Sequence, residues 1–213
     1  PYELHYWIDS NFGGGTAGAC DPPANDHQWN IDLGVTPDDE EILLAFYRSL
    51  PPETRLRLRQ DNTNRKILQR FLEEIPLGRM VTMGALDAEE TELVGECSLR
   101  IMHHGWARHV GEVKYALKPD WSPTGLGGIL LMELIEVASS QGLDKLVYQC
   151  LDDQVRLKQM LKDMGFVQEA ILRDHATDLS GKKHDIYIMS NYMAELWRKM
   201  EDMIMYQEFP PFP

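Results

Sequence analysis

Residues 115–142 read YALKPDWSPTGLGGILLMELIEVASSQG, and the architecture can be worked out from them in both directions. A strand-like run over 110–118 enters a turn holding Gly125, Gly127 and Gly128. A long apolar helix of about 126–141 starts at once and stops at Gly142. Backbone amides at a helix N-terminus, with no bulky side chain to block approach, make an anion site. A pyrophosphate fits there without any cationic side chain. The same glycines also suit a plain strand-to-helix turn, where they serve only for backbone freedom. The segment alone does not separate the two readings. It is neither of two familiar phosphate loops. Gly127 is followed by Gly128 and Ile129 rather than by Lys and Ser or Thr, and the wider GxGxxG spacing is absent.

Toward the N-terminus, two further strands are predicted, RMVTMGAL (79–86) and ELVGECSLRI (92–101), joined by the acidic turn DAEET. A helix opens at Thr36, with Pro37 at its first position and Asp38 and Asp39 near the positive end of its dipole. Its predicted apolar face is Ile42, Phe46 and Leu50, flanked by Leu43 and Tyr47, and Pro51–Pro52 closes it. A second amphipathic helix covers about 62–75, with Ile67, Leu68, Phe71, Leu72 and Ile75 on one side. QWNIDLGV (28–35) reads as a first strand. Residues 1–27 include the Gly/Ala/Asp/Pro-rich run NFGGGTAGACDPPAND and are expected to be an extension or linker.

Toward the C-terminus, KLVYQCL (145–151) is a strand and Val155–Met164 a helix with Leu157, Met160, Leu161 and Met164 inward. FVQEAILRD (166–174) and HDIYIMS (184–190) form a strand pair across the turn near Asp178–Gly181. A last helix, about 191–205, carries a Met/Trp stripe suited to core or to a homodimer surface, and a tail follows to 213. The order β-α-α-β-β-β-α-β-α-β-β-α implies an α/β (α+β) fold with a mixed sheet and helices on both faces.

Composition bounds the function. The net charge of −13 over 213 residues argues against nucleic acid or an anionic membrane as partner, and is compatible with a cationic substrate. No apolar run approaches the roughly 20 residues that span a bilayer, so a cytoplasmic location is expected. Cys97 and Cys150 sit in apolar strands as buried thiols, and Cys20 falls in the N-terminal segment. His103, His104 and His109 share a loop, yet their spacing matches no zinc pattern even with His175 or His184 added, so no metal is expected.

The run PDWSPTGLGGILLMELI resembles the acyl-CoA loop of GNAT acetyltransferases, Gln/Arg-x-x-Gly-x-Gly/Ala after the fourth strand. Ser122 stands at the Gln/Arg position, Gly125 at the first glycine and Gly127 at the Gly/Ala position. The element order from Gln28 to Ser190 is similar as well, and DDQVRLKQMLKDMGF resembles the family's fifth-strand-to-helix segment, with Gln154 where Asn is common. The resemblance implies a mostly antiparallel sheet of about seven strands over 28–190. It also implies an acyl-CoA, most simply acetyl-CoA, held by Tyr115, Ala116, Leu117, Ser122, Thr124, Gly125, Leu126, Gly127, Gly128 and Gln154. TPDDEEILLAFYRSLPPETRLR and GEVKYALKPDW resemble the bacterial protein-lysine acetyltransferase branch, which places a catalytic glutamate at Glu112. The acceptor implied is a primary amine, first of all a protein lysine.

A lysine amine has a pKa of about 10.4, so a nearby carboxylate must accept its proton before it attacks a thioester. Glu112 is the candidate, and Glu96 on the neighbouring strand is the alternative; the strand register separates them. Ser122 and Pro123 depart from the family's phosphate-holding pattern, and Leu161 stands where many members keep a tyrosine acid. Two other readings therefore stay open: acylation of a small-molecule amine, and a non-catalytic acyl-CoA sensor.

Overall fold

The computed structural model describes residues 29–32, 34–178 and 181–193. The expectations for residues 1–28, Cys20 among them, and for a terminal helix beyond Met193 fall outside them. The chain runs β1 (Trp29–Asp32), a 3-10 turn (Pro37–Asp39), α1 (Glu40–Ser49), α2 (Pro52–Arg55), α3 (Arg65–Glu73), β2 (Met80–Asp87), β3 (Leu93–Ile101) and β4 (Val110–Leu117). A second 3-10 turn (Pro119–Thr124) leads to α4 (Leu126–Ser140), β5 (Lys145–Leu151), α5 (Val155–Asp163), β6 (Val167–Thr177) and β7 (Lys183–Tyr192). The seven strands form one sheet in the order β1-β2-β3-β4-β5-β7-β6. Every pair is antiparallel except β4–β5.

Local chemistry sets the elements. Thr36 caps the first turn in both directions: its Oγ1 accepts from the Asp38 amide, and its own amide donates to Asp39 Oδ2 at 2.7 Å. Asn64 caps α3 by accepting from the Lys66 amide at 3.0 Å. Two apolar layers cover the sheet. On one face Met83, Cys97, Leu99, Val113 and Leu117 pack with Leu130, Leu131 and Leu134 of α4. On the other, Leu43, Leu44, Phe46 and Tyr47 of α1 pack with Leu68, Phe71 and Leu72 of α3 against Met80, Leu93 and Ala116.

Three expectations need correction. Ile42 is exposed, and the inward face of α1 is Leu43, Leu44, Phe46, Tyr47 and Leu50, the i, i+3/i+4, i+7 spacing counted from Leu43. Pro52 does more than end α1, because a proline suits the first position of a helix and Pro52 begins α2. Asn191 and Tyr192 belong to β7, not to a terminal helix: β5 offers them ladder partners at Leu146 and Lys145, and the Asn191 side-chain Nδ2 donates to the Met164 carbonyl at 3.0 Å.

Candidate active site

The parallel pairing of β4 with β5 covers only Val110–Val113 against Lys145–Tyr148. Beyond that point β4 continues to Leu117, still paired with β3 on its other edge through Leu117 opposite Gly95. The two strands therefore splay, and one edge of residues 114–117 faces a gap. The rings of Tyr115 and Tyr148 stand at its head, with centroids 6.0 Å apart.

A cleft of about 660 Å³ opens from this gap. Its walls bring together Tyr115, Ala116, Leu117, Ser122, Gly125, Gly127, Gly128 and Gln154, the residues that the sequence singles out for an acyl donor. Thr124 and Leu126, also expected there, do not line it. Gly125 caps α4 at φ +84, a left-handed conformation that favours glycine. Its neighbour Gly127 serves packing: a Cβ there would lie 3.0 Å from Leu117 Cδ1. Gly128 has nothing within 4 Å of where its Cβ would be, so only its lack of a side chain keeps that part of the cleft clear.

The amides are not equally available. Leu126 N–H donates to Thr124 Oγ1 at 3.4 Å, and Gly128 N–H to the Gly125 carbonyl at 3.0 Å. Gln154 is partly committed too, since its Oε1 accepts from the Leu151 amide at 2.8 Å. Across the opening, Arg57 reaches from the end of α2 to Asp153 before α5, at 3.0 Å.

On the other side of Tyr115 and Tyr148 lies a second, much smaller cavity of about 50 Å³. It is lined by ionisable side chains from the α1/α3 face, among them Glu96, Glu112 and Lys114. The register puts both glutamates on this face: Glu96 lies opposite Ala116, Ser98 opposite Lys114 and Arg100 opposite Glu112. Glu112, near the rim, pairs with Arg59. Glu96 is only 2% exposed and accepts a hydrogen bond from the buried Tyr47 hydroxyl at 2.9 Å. Burial pushes its carboxyl up to about 7, against the pull of the Tyr47 and Ser98 hydroxyls and the Lys114 ammonium. Lys114 is pushed down to about 8 by burial and by the positive charges of Arg100 and Arg59, with Glu96 opposing. A carboxyl on β3 and an amine on β4 that both titrate near neutrality, beside the cleft, are equipped for proton transfer.

A family model described as "Acetyltransferase (GNAT) family" matches residues 40–166, which hold the cleft and the small cavity alike. The chain belongs to the GNAT acetyltransferase family. It is an acyltransferase. No curated protein matches its sequence. Among solved structures, the ribosomal-protein-S5-alanine acetyltransferase of Vibrio fischeri is 14% identical with a TM-score of 0.67, over 79% of this chain and 94% of that one. An acetyltransferase of the GNAT family from Streptococcus pneumoniae is 20% identical with a TM-score of 0.65, over 78% and 99%. A phosphinothricin acetyltransferase of Sinorhizobium meliloti, solved in complex with acetyl-CoA, is 15% identical with a TM-score of 0.67, over 77% and 88%. At these identities the likeness concerns the GNAT fold.

The GNAT site also holds residues that sequence reading missed. Tyr47, Arg57, Arg59, Asn62 and Tyr148 all line the small cavity. Tyr148 is readable as an inward position of β5, in phase with Leu146 and Cys150, but the splay that sets it between the two cavities is not. Leu161 is wholly buried in the α4-side core and lines neither cavity. Cys97 and Cys150 are buried free thiols whose pKa values burial raises, that of Cys150 to about 11. His184 is held between Asp152 and Asp178, and His103 lies 2.8 Å from the Gly78 carbonyl. Among the described residues no group of three or more His, Cys, Asp or Glu is placed to hold a metal ion, and no helix is long and apolar enough to cross a membrane.

Proposed function

We propose that the protein transfers the acetyl group of acetyl-CoA to a primary amine, with a protein lysine as the acceptor. The observation that carries this reading is the pairing of a large cleft, headed by a glycine-capped helix, with a small carboxylate-lined cavity across Tyr115 and Tyr148. In this reading the pantetheine arm lies along the unpaired edge of Tyr115, Ala116 and Leu117 and bonds to their backbone groups. The pyrophosphate lies over the start of α4, where the positive end of the helix dipole favours negative charge. Ser122, Gly125, Gly128 and Gln154 complete that wall, while Thr124 and Leu126 act through the turn they shape.

The acceptor amine enters past Arg59 and Gln60, and Glu112 takes its proton, directly or through one water, as the amine attacks the thioester carbonyl. The C–S bond breaks and CoA leaves as thiolate. Backbone amides of β4 in the splay stabilise the oxyanion. To act as base, Glu112 exchanges Arg59 for the amine. The segments resembling the protein-lysine branch support the lysine acceptor, and a narrow cavity suits one ammonium at the end of an alkyl chain. The narrowness equally favours a small amine, and the solved relatives include a phosphinothricin acetyltransferase.

The test is release of free CoA from acetyl-CoA with lysine peptides, polyamines and amino acids as acceptors, for the wild type and Glu112→Gln. Turnover with lysine peptides that collapses in Glu112→Gln supports the proposal. Turnover confined to small amines shifts the acceptor class. Binding of acetyl-CoA without turnover in either protein converts the reading to a sensor.

A further inference from the structure

The small cavity contains two buried hydrogen-bond acceptors that make no hydrogen bond. The Tyr47 hydroxyl donates to Glu96 Oε2, while no hydrogen bond reaches the buried Oε1, although the Ser98 hydroxyl lies near enough to favour the carboxylate. Asn62, at the turn before α3, likewise buries an unpartnered Oδ1. Both residues line the same cavity. A buried acceptor left without a donor is costly, the more so when it is charged, so two in one small space mark a place for a donor-rich ligand. The size limits that ligand. A cavity of about 50 Å³ takes an ammonium and its first methylenes, given that a water claims about 30 Å³ of liquid. The location limits it further. Glu96 stands opposite Ala116, beside the unpaired edge of β4 given to the acyl donor, whereas Glu112 lies four residues back along the strand.

We infer that Glu96 and Asn62 form the docking site for the acceptor's ammonium group, which donates N–H bonds to Glu96 Oε1 and Asn62 Oδ1. This deepens the proposed acetyl transfer and rests on that reading. It separates two roles: Glu96 positions the nitrogen at the end of the splay, and Glu112 accepts the proton. Tyr47 supports the dock from α1 by occupying the other carboxylate oxygen, which leaves Oε1 turned to the cavity.

The charged neighbours give the dock a pH dependence. Glu96 faces the Tyr47 hydroxyl from α1, Asn62 from the turn before α3, Ser98 on its own strand and Lys114 from β4, with Arg59 and Arg100 close to Lys114. Protonation of Glu96 removes its attraction for a cation, and the Lys114 ammonium opposes that cation directly. Ammonium binding therefore strengthens as pH rises through about 7 and again through about 8, where Glu96 gains its charge and Lys114 loses its own.

The test reads the dock without requiring turnover, so it fails separately from the acetyltransferase reading. In carbon-13 spectra of carboxyl-labelled glutamates, the resonance missing from Glu96→Gln is followed from pH 5 to 9. Methylammonium chloride is compared with tetramethylammonium chloride at equal ionic strength, the latter having no N–H to donate. The expected result is a midpoint that falls in methylammonium alone and does not move in Asn62→Ala. A midpoint unchanged by methylammonium leaves the cavity to water and overturns the inference. Glu96→Gln preserves size and the bond from Tyr47, so it keeps the fold for a kinetic arm. There the acceptor KM should rise about tenfold or more, as for a hydrogen bond to a charged group, with kcat nearly unchanged. Loss of kcat at constant KM makes Glu96 the base instead and overturns it too.

Discussion

The two cavities on either side of Tyr115 and Tyr148 are built on opposite principles. The cleft of about 660 Å³ draws its expected donor-binding groups, Gln154 apart, from one continuous segment, 115–128, with residues of 54–58 and 153–160 closing the wall. The cavity of about 50 Å³ draws on side chains from α1, the turn before α3, β3, β4 and β5, and sets the titratable Glu96, Glu112 and Lys114 beside the side-chain amide of Asn62. A site made of amides serves a ligand that is the same for every member of a family. A site made of coupled side chains can be retuned one residue at a time, which suits the variable partner of the reaction.

Substitutions should therefore sort by cavity. The largest effect expected is from Glu112→Gln, with kcat down about 10²–10⁴-fold, as for loss of a general base, and acetyl-CoA affinity within twofold by titration. An equal loss in donor affinity would break the division, because Glu112 would then belong to the cleft. Next comes Gly128→Glu. Its side chain meets no protein atom within 4 Å of Cβ and puts a negative charge where the pyrophosphate is to lie, so acetyl-CoA affinity should fall about tenfold or more. Circular dichroism should show the fold intact, and the Glu96 midpoint should not move.

A smaller effect concerns stability. Glu96 has a folded pKa raised above its unfolded value, so the folded protein holds a proton that the unfolded chain has lost between about 4.5 and about 7. Stability falls as pH rises through that window, and Glu96→Gln removes the fall. The melting temperature of the variant should gain on the wild type between pH 4.5 and pH 8; a constant offset would contradict the buried, poorly compensated carboxylate.

The smallest effect is expected at His184, remote from both ligands. The Asp152 and Asp178 carboxylates raise its folded pKa, so its contribution is complete below the ordinary histidine value of about 6.5 and is lost as pH rises through the raised one. Melting curves of wild type and His184→Gln should converge as pH increases, while acetyl-CoA binding stays level. Divergence with rising pH would contradict the ion-pair geometry.

The same contrast explains what sequence could and could not reveal. Strand, turn, glycines and helix over 110–142 are local, so their periods and breakers place them nearly to the residue, and the cleft comes with them. The 3-10 turn of Pro119–Thr124 escaped because its prolines and single Trp have no helical period. Glu96 and Glu112 were both visible as strand glutamates, but only the register placed them on one face. Tyr47 looked like one more apolar residue of α1, and nothing in the run QDNTN marks Asn62. Their meaning comes from meeting Glu96 across 49 and 34 positions of chain, which no local pattern carries.

Whether the glycine-capped cleft holds the acyl donor is decided by calorimetric titration of acetyl-CoA into the wild type and Gly128→Glu. Saturable one-to-one binding to the wild type that is lost or weakened at least about tenfold in the folded variant is the expected result. No heat of binding to folded wild type, or equal affinity in both proteins, would contradict it.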